Sequence, residues 1–206
     1  EIVSRFPVDI AVRGEGEATA VELLRALETG ADLEGVAGIT FRRGDEIIST
    51  PDRPRIKDLD SLPFPAHHRV DFRDYRRTLG LMMTRGCPYG CKFCSVHSVW
   101  GRRLTHRSVG NVLAEIDGVA DRIERIEFND DTFVLDHRRV GELAAGLRSA
   151  GRRVPWFCYG RVNLMSEDLV REMASAGCAE VLLGIESGSD RVLRALSTGF
   201  SAADCR

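Results

Sequence analysis

The spacing of apolar residues changes several times along the chain, and each change marks an element. Val8-Asp9-Ile10-Ala11-Val12 alternates weakly, as a short strand does. After Gly14-Glu15-Gly16-Glu17, the positions Ala20, Leu23, Leu24 and Leu27 recur at helical spacing until Gly30 offers a stop. Gly38 to Phe41 and Glu46 to Ser49 flank Arg43-Gly44-Asp45, which predicts a hairpin. From Pro51 to about Tyr75, Pro51, Pro54, Pro63 and Pro65 interrupt any period, so this stretch reads as an irregular connection and places the domain boundary.

Beyond residue 79 the pattern becomes regular. Leu81 to Thr84 predicts a strand, then Ser108 opens a helix with Val112, Ile116 and Val119 on one face. Arg125 to Phe128 is the next strand. Asp136 caps a helix lined by Val140, Leu143, Ala144 and Leu147 and stopped by Gly151. Val154 to Tyr159 is a third strand, Ser166 caps a helix ended by Gly177, and Val181 to Ile185 is a fourth strand, with a helix following from Arg191 to Leu196. Strands starting near 81, 124, 154 and 179, each followed by a helix, predict an α/β fold with a parallel sheet. Four such units are about half of an eight-unit barrel, which takes roughly 250 residues. Val181, Leu182, Leu183 and Ile185 are nearly continuous, as in a strand meant to be buried on both faces. The chain opens at Glu1 and stops at Arg206, which reads as a piece of a longer protein. Left at an edge, its fourth strand would make the isolated chain poorly soluble.

Composition narrows the chemistry. The 206 residues are 43% hydrophobic and 29% charged with a net charge of −2, so no basic excess points to nucleic acid. No apolar run reaches the ~20 residues of a membrane span, and no leader is visible. Of the 29 cationic residues only Lys57 and Lys92 are lysines. That skew is spread over the whole chain and marks no site. Of the six cysteines, Cys87, Cys91 and Cys94 fall within eight residues, while Cys158, Cys178 and Cys205 are scattered. Such clustering fits a metal site in a reducing, cytoplasmic compartment rather than a disulfide framework.

Cys87-Pro88-Tyr89-Gly90-Cys91-Lys92-Phe93-Cys94 is a C-x3-C-x2-C loop just past the first strand of the regular region. Three thiolates can hold a 4Fe–4S cluster and leave one iron open to an outside ligand. Two alternatives remain on spacing alone. His97, three residues on, could complete a Cys3His zinc site in an interaction module, or the loop could belong to a passive electron-transfer domain, for which a fourth cysteine near the cluster would be needed.

The loop with Phe93 before its last cysteine, opening a run of βα units, resembles the radical S-adenosylmethionine (SAM) superfamily. Thr84 to Ser95, Asp130-Asp131-Thr132-Phe133 and Gly184-Ile185-Glu186-Ser187-Gly188-Ser189 are similar to its branch with an N-terminal cobalamin-binding domain, and Val12 to Glu17 resembles the last strand and helix of that domain. The resemblance implies the first half of a partial (β/α) TIM-like barrel over 79–206. It implies a connection over 51–78 and the C-terminal tail of a Rossmann-like cobalamin domain, plus a hairpin, over 1–50. It implies that Cys87, Cys91 and Cys94 ligate three irons, that SAM chelates the fourth, and that Phe93 lies near the adenine. Where many members carry a glycine pair and a glutamate, this chain has Asn129-Asp130-Asp131, so either Asp130 or Asp131 would receive the methionyl amine. Arg161 would face the methionyl carboxylate, and Glu186 and Ser187 the ribose. Cobalamin, a small-molecule substrate and an electron donor such as flavodoxin or ferredoxin complete the implied set, with methyl transfer or radical rearrangement as the reaction.

Other features carry simpler expectations. Gly14-x-Gly16-x-x-Thr19 mimics a dinucleotide fingerprint, but Glu15 and Glu17 would repel a phosphate, so it reads as a turn into a helix. His67 and His68 are expected to be exposed, His106 and His137 have no ligand-spaced partners, and Arg103 and Arg107 are given no role. Cys158 and Cys178 are expected to be buried inert thiols, and Trp156 and Tyr159 core or lining residues.

Overall fold

The computed structural model describes residues 2–151 and 154–206. They form two compact units, one of residues 2–57 with 95–101, the other of 58–94 with 102–151 and 154–206. In the first, α1 (Ile2–Arg5) precedes β1 (Ile10–Val12), α2 (Glu17–Thr29), β2 (Ile39–Arg43) and β3 (Glu46–Ser49). The three strands make an antiparallel sheet in the order β1-β2-β3. The β2–β3 hairpin turns at Gly44, whose φ of +61° is one that L side chains rarely adopt. Ile39 and Phe41 pack with Val36 and Ala26 of the α2 region as this unit's core. Gly30 ends α2 in the left-handed conformation. The glycine turn before α2 is built as its charges require: the Glu15 carboxylate is buried and accepts the Ile56 amide at 2.6 Å.

The second unit holds β4 (Thr78–Leu81), β7 (Arg125–Phe128), β8 (Trp156–Gly160) and β9 (Cys178–Leu183) in one parallel sheet, in chain order. Between β4 and β7 lie β5 (Thr84–Arg85) and β6 (Thr105–His106), which pair as a small antiparallel ribbon, and α4 (Val109–Asp117); α3 (Val96–Val99) falls in the stretch grouped with the first unit. Helices α5 (His137–Ser149) and α6 (Glu167–Ser175) link the later strands, and α7 (Asp190–Leu196) follows β9. The expected caps are in place: Ser108, Asp136 and Ser166 accept the amides of Asn111, Arg139 and Leu169 at 3.1–3.2 Å.

Side chains alternate across the sheet. Leu79, Leu81, Ile126, Phe128, Trp156 and Cys158 join one core with the apolar stripes of α4, α5 and α6. Trp156 meets Phe128 edge-on at 5.5 Å and donates its indole N–H to the Ala176 carbonyl. The other face carries Gly80, Glu127, Tyr159 and Leu182, and Tyr159 is exposed there, donating to Glu127 at 3.1 Å. β9 is the sheet edge, with Leu182 47% exposed and Ile185 just beyond it exposed as well.

Three expectations are corrected. The first strand of the parallel sheet ends at Leu81 instead of running from Leu81 to Thr84. Asn129 N–H donates to the Leu81 carbonyl at 2.7 Å, but the next amide, Met83, is taken by the Asp130 side chain, so the ladder stops. His67 is not solvent-exposed: its Nε2 lies 2.8 Å from the buried Glu115, which also pairs with Arg107 at 2.5 Å. Cys178 is only half-buried, and its sulfur beside the Cys158 thiol, together with burial, pushes Cys158 up.

The His67–Glu115–Arg107 cluster ties the irregular connection to α4, and Arg122 adds a bond to the His67 carbonyl at 2.9 Å. Glu115 is 2% exposed. Replacing it with alanine leaves the half-buried Arg107 guanidinium without its counter-charge, so Glu115→Ala should lower unfolding free energy by about 2–3 kcal/mol, less than for a fully buried pair. A urea melt would show this as a fall in midpoint, with Glu115→Gln losing less.

Candidate functional site

The parallel strands all release their loops at one edge of the sheet, and the cysteine loop is fastened there by residues from the other three. Cys87 is buried, with its Sγ 3.5 Å from Thr132 Oγ1, just past β7. Cys91 is half-buried and accepts from Arg161 Nη1, just past β8, at 3.7 Å. Lys92 N–H donates to the carbonyl of Leu196, the last residue of α7, at 3.0 Å. Cys94 is half-buried, and its amide turns back onto the Cys91 carbonyl at 3.2 Å. A side chain at Gly90 would press on Arg102, 3.3 Å away. All three cysteines are free thiols.

Asp130 is 1% exposed. Its Oδ2 accepts the Met83 amide at 3.0 Å, while Oδ1 is buried without a hydrogen-bond partner. Burial pushes its carboxyl up to about 7, against the lowering by hydrogen bonds from Met83 and Thr84; neighbouring Asp131 raises it further. Arg161 is also buried. Its Nε donates to Asn163 Oδ1 at 3.0 Å, its guanidinium carbon lies 3.7 Å from the Tyr89 ring centroid, and Nη2 is buried without a partner. A carboxylate oxygen and a guanidinium N–H, both buried and unsatisfied, are thus held at the same edge as the cysteines.

The remaining candidates lie farther out. Phe93 is 52% exposed. Glu186 is exposed in a left-handed conformation, φ +62°, just past β9, and Ser187 Oγ accepts the Ser189 amide at 3.1 Å. A non-glycine residue held there is uncommon, and the Glu186 carboxylate folds back over Gly184. Ser189 makes no capping bond to α7, and Asp190 instead accepts the Ala202 amide at 2.7 Å. Among the described residues, no three His, Cys, Asp or Glu side chains stand together closely enough for a single metal ion. A zinc ion with bonds of about 2.3 Å draws its thiolates into mutual contact, whereas a cubane gives each cysteine its own iron and keeps them farther apart.

Sequence reasoning passed over Thr132, Tyr89, Asn163 and Phe200 as site residues. Thr132 had a signal, directly after the paired carboxylates. Tyr89 lies within the cysteine loop itself, whereas Asn163 and Phe200 had no signal, because their roles arise only when distant segments meet.

The family model for the Radical SAM superfamily matches residues 81–203. The chain belongs to that superfamily. It is 34% identical over 200 residues to an uncharacterized methyltransferase of Pyrococcus horikoshii, covering 94% of this chain and 44% of that protein. It is 28% identical to an anaerobic magnesium-protoporphyrin IX monomethyl ester cyclase of Synechocystis, covering all of this chain and 43% of that one. The chain therefore spans less than half the length of these curated relatives. Its fold matches that of the cobalamin-dependent S-adenosylmethionine radical enzyme OxsB with a TM-score of 0.82 at 21% identity, over 98% of this chain and 31% of that one. It is an α/β enzyme chain with a parallel sheet, and none of its described helices is long and apolar enough to cross a membrane.

The radical SAM superfamily implies a 4Fe–4S cluster and SAM, and the residues here fit both. Three free thiols on one loop suit the cluster, and the unsatisfied atoms of Asp130 and Arg161 suit a ligand carrying an ammonium and a carboxylate. One consequence is measurable without cofactors. Asp130, raised to about 7, holds its proton in the folded chain where the unfolded chain has lost it. Stability of the cofactor-free protein should therefore be full below about pH 4 for this group and fall as pH rises to about 7, by up to about 1.4 kcal/mol per pH unit. Asp130→Asn should flatten that slope, as read by thermal melts between pH 5 and 8.

Proposed function

We propose that Cys87, Cys91 and Cys94 hold a 4Fe–4S cluster and that the protein containing this chain uses it to cleave SAM reductively. The observation that carries this reading is the pairing of two buried, unsatisfied groups of opposite kind, Asp130 Oδ1 and Arg161 Nη2, at the edge where the cysteine loop is fastened. When bound, the cluster would deliver one electron to the sulfonium and release a 5′-deoxyadenosyl radical. Asp130 would accept the methionyl ammonium, whose charge would draw the carboxyl back to its ionised form. Of the two carboxylates, Asp130 is favoured over Asp131 because it is the more deeply buried. Arg161 would take the methionyl carboxylate through Nη2. Glu186 and Ser187, past β9, would meet the ribose, and the exposed ring of Phe93 would cover the adenine.

In this reading residues 79–206 are the first half of a partial (β/α) barrel, whose lining is the face bearing Gly80, Glu127, Tyr159 and Leu182. Residues 51–78 are the connection, and 1–50 are the C-terminal part of a cobalamin-binding domain with its hairpin. The likeness to OxsB over 98% of the chain supports that arrangement. The relatives include a methyltransferase and a cyclase, so the proposed reaction is cobalamin-dependent methyl transfer or radical rearrangement of a small molecule. Flavodoxin or ferredoxin would supply electrons in the cytoplasm.

Anaerobic reconstitution tests the proposal. The protein should take up about four irons and four sulfides per chain, the content of the 4Fe–4S cluster it invokes, and release 5′-deoxyadenosine from SAM with a reductant. Cys91→Ala should abolish both, and His97→Ala should leave iron and sulfide uptake intact. Equal loss from the two substitutions, with zinc recovered from the wild type, would replace the cluster with a Cys3His site.

A further inference from the structure

Arg161 makes a contact that its proposed role in SAM binding does not use. It reaches across 70 residues of sequence to donate Nη1 to Cys91 Sγ at 3.7 Å. Its guanidinium lies between two rings, 3.7 Å from the centroid of Tyr89 and 5.1 Å from that of Phe200. Gly199, at φ +76°, passes close enough that a Cβ there would stand 3.4 Å from Nη2. Asn163 fixes Nε. No carboxylate pairs with this buried cation among the described residues.

A buried guanidinium whose neighbours are two rings, a sulfur and the neutral Asn163 amide is a charge waiting for an anion. The planar fork is held edge-on to Cys91 by its stacking, which lysine could not reproduce. Hydrogen bonds to cluster sulfurs and nearby charge set the potential of an iron–sulfur centre. A donor and a positive charge both favour the reduced cluster, which carries one more negative charge.

We infer that Arg161 is a positioning residue whose N–H···S bond to Cys91 raises the cluster's reduction potential and so makes it easier to reduce. This rests on the reading that Cys91 is a cluster ligand. Tyr89 and Phe200 hold the guanidinium in place, so the segment after α7 is coupled to the cluster loop through this one side chain.

The test is a redox titration, followed by electron paramagnetic resonance, of the anaerobically reconstituted full-length protein without SAM. Iron and sulfide are counted on each sample. Arg161→Met should keep its full cluster yet lower the midpoint potential, making the one-electron reduction equilibrium about tenfold less favourable, or about 59 mV. Arg161→Lys, which keeps the charge but loses the stacked fork, should shift the same way by less, and it remains informative if the methionine variant does not fold. A fully loaded variant with the wild-type potential overturns the inference while leaving the cluster reading intact. Failure of the wild-type protein to take up iron and sulfide overturns the cluster reading, and this inference with it.

Discussion

A single buried carboxylate decides where β4 ends and where the loop chemistry begins. Asp130 sits at the end of β7, and its Oδ2 takes the Met83 amide that would otherwise continue the parallel ladder. The rung before it, Asn129 to Leu81, is intact. Substituting a side chain for a backbone carbonyl frees the chain after Leu81, so that Thr84 and Arg85 can turn away and pair with Thr105 and His106. Cys87 then falls beside Thr132. Burying a carboxylate is costly, and the raised proton affinity of Asp130 measures that cost. The fold carries it at the point where a bound cation would relieve it.

Much of this was legible in the sequence. Ser108, Asp136 and Ser166 declared their helices because capping is a local matter between neighbours in the chain. The strand–helix alternation declared a parallel sheet because crossovers need that length. The cysteine loop stood out by its spacing, and the structure keeps its three thiols free on one fastened turn. What was hidden is long-range. Leu79 to Met83 is apolar throughout, and nothing in that run says that a carboxylate nearly fifty positions later will end the strand at Leu81. His67 looked like a solvent histidine in a proline-rich stretch until α4 brought Glu115 beneath it. Arg161 stood out only through the family resemblance, and nothing near it in the chain foretold its burial, its stacking on Tyr89 and Phe200 or its bond to Cys91.

The two faces of the parallel sheet are unlike each other. One is sealed by helices over Ile126, Phe128 and Trp156. The other presents Gly80, Glu127, Tyr159 and Glu180 beside Phe157 and Leu182, a mixture of polar and apolar groups where a parallel sheet is normally apolar on both sides. Polar residues on strands that otherwise read as core are suited to line a cavity. Here they stand on the same strands whose ends carry Asp130 and Arg161.

The fastening of the cysteine loop also sets an order of events during synthesis. Its local sequence is complete once Cys94 is made, but Thr132 comes 45 residues after Cys87 and Arg161 comes 70 after Cys91. At about 5–20 residues per second, the loop waits roughly 4–14 s for its guanidinium clamp, and longer for Leu196. Throughout that interval three soft nucleophiles stand on an unanchored turn, open to oxidants and to adventitious metal. The βα units that follow therefore fasten the turn one after another, ending with Cys87 buried and Cys91 and Cys94 half-buried.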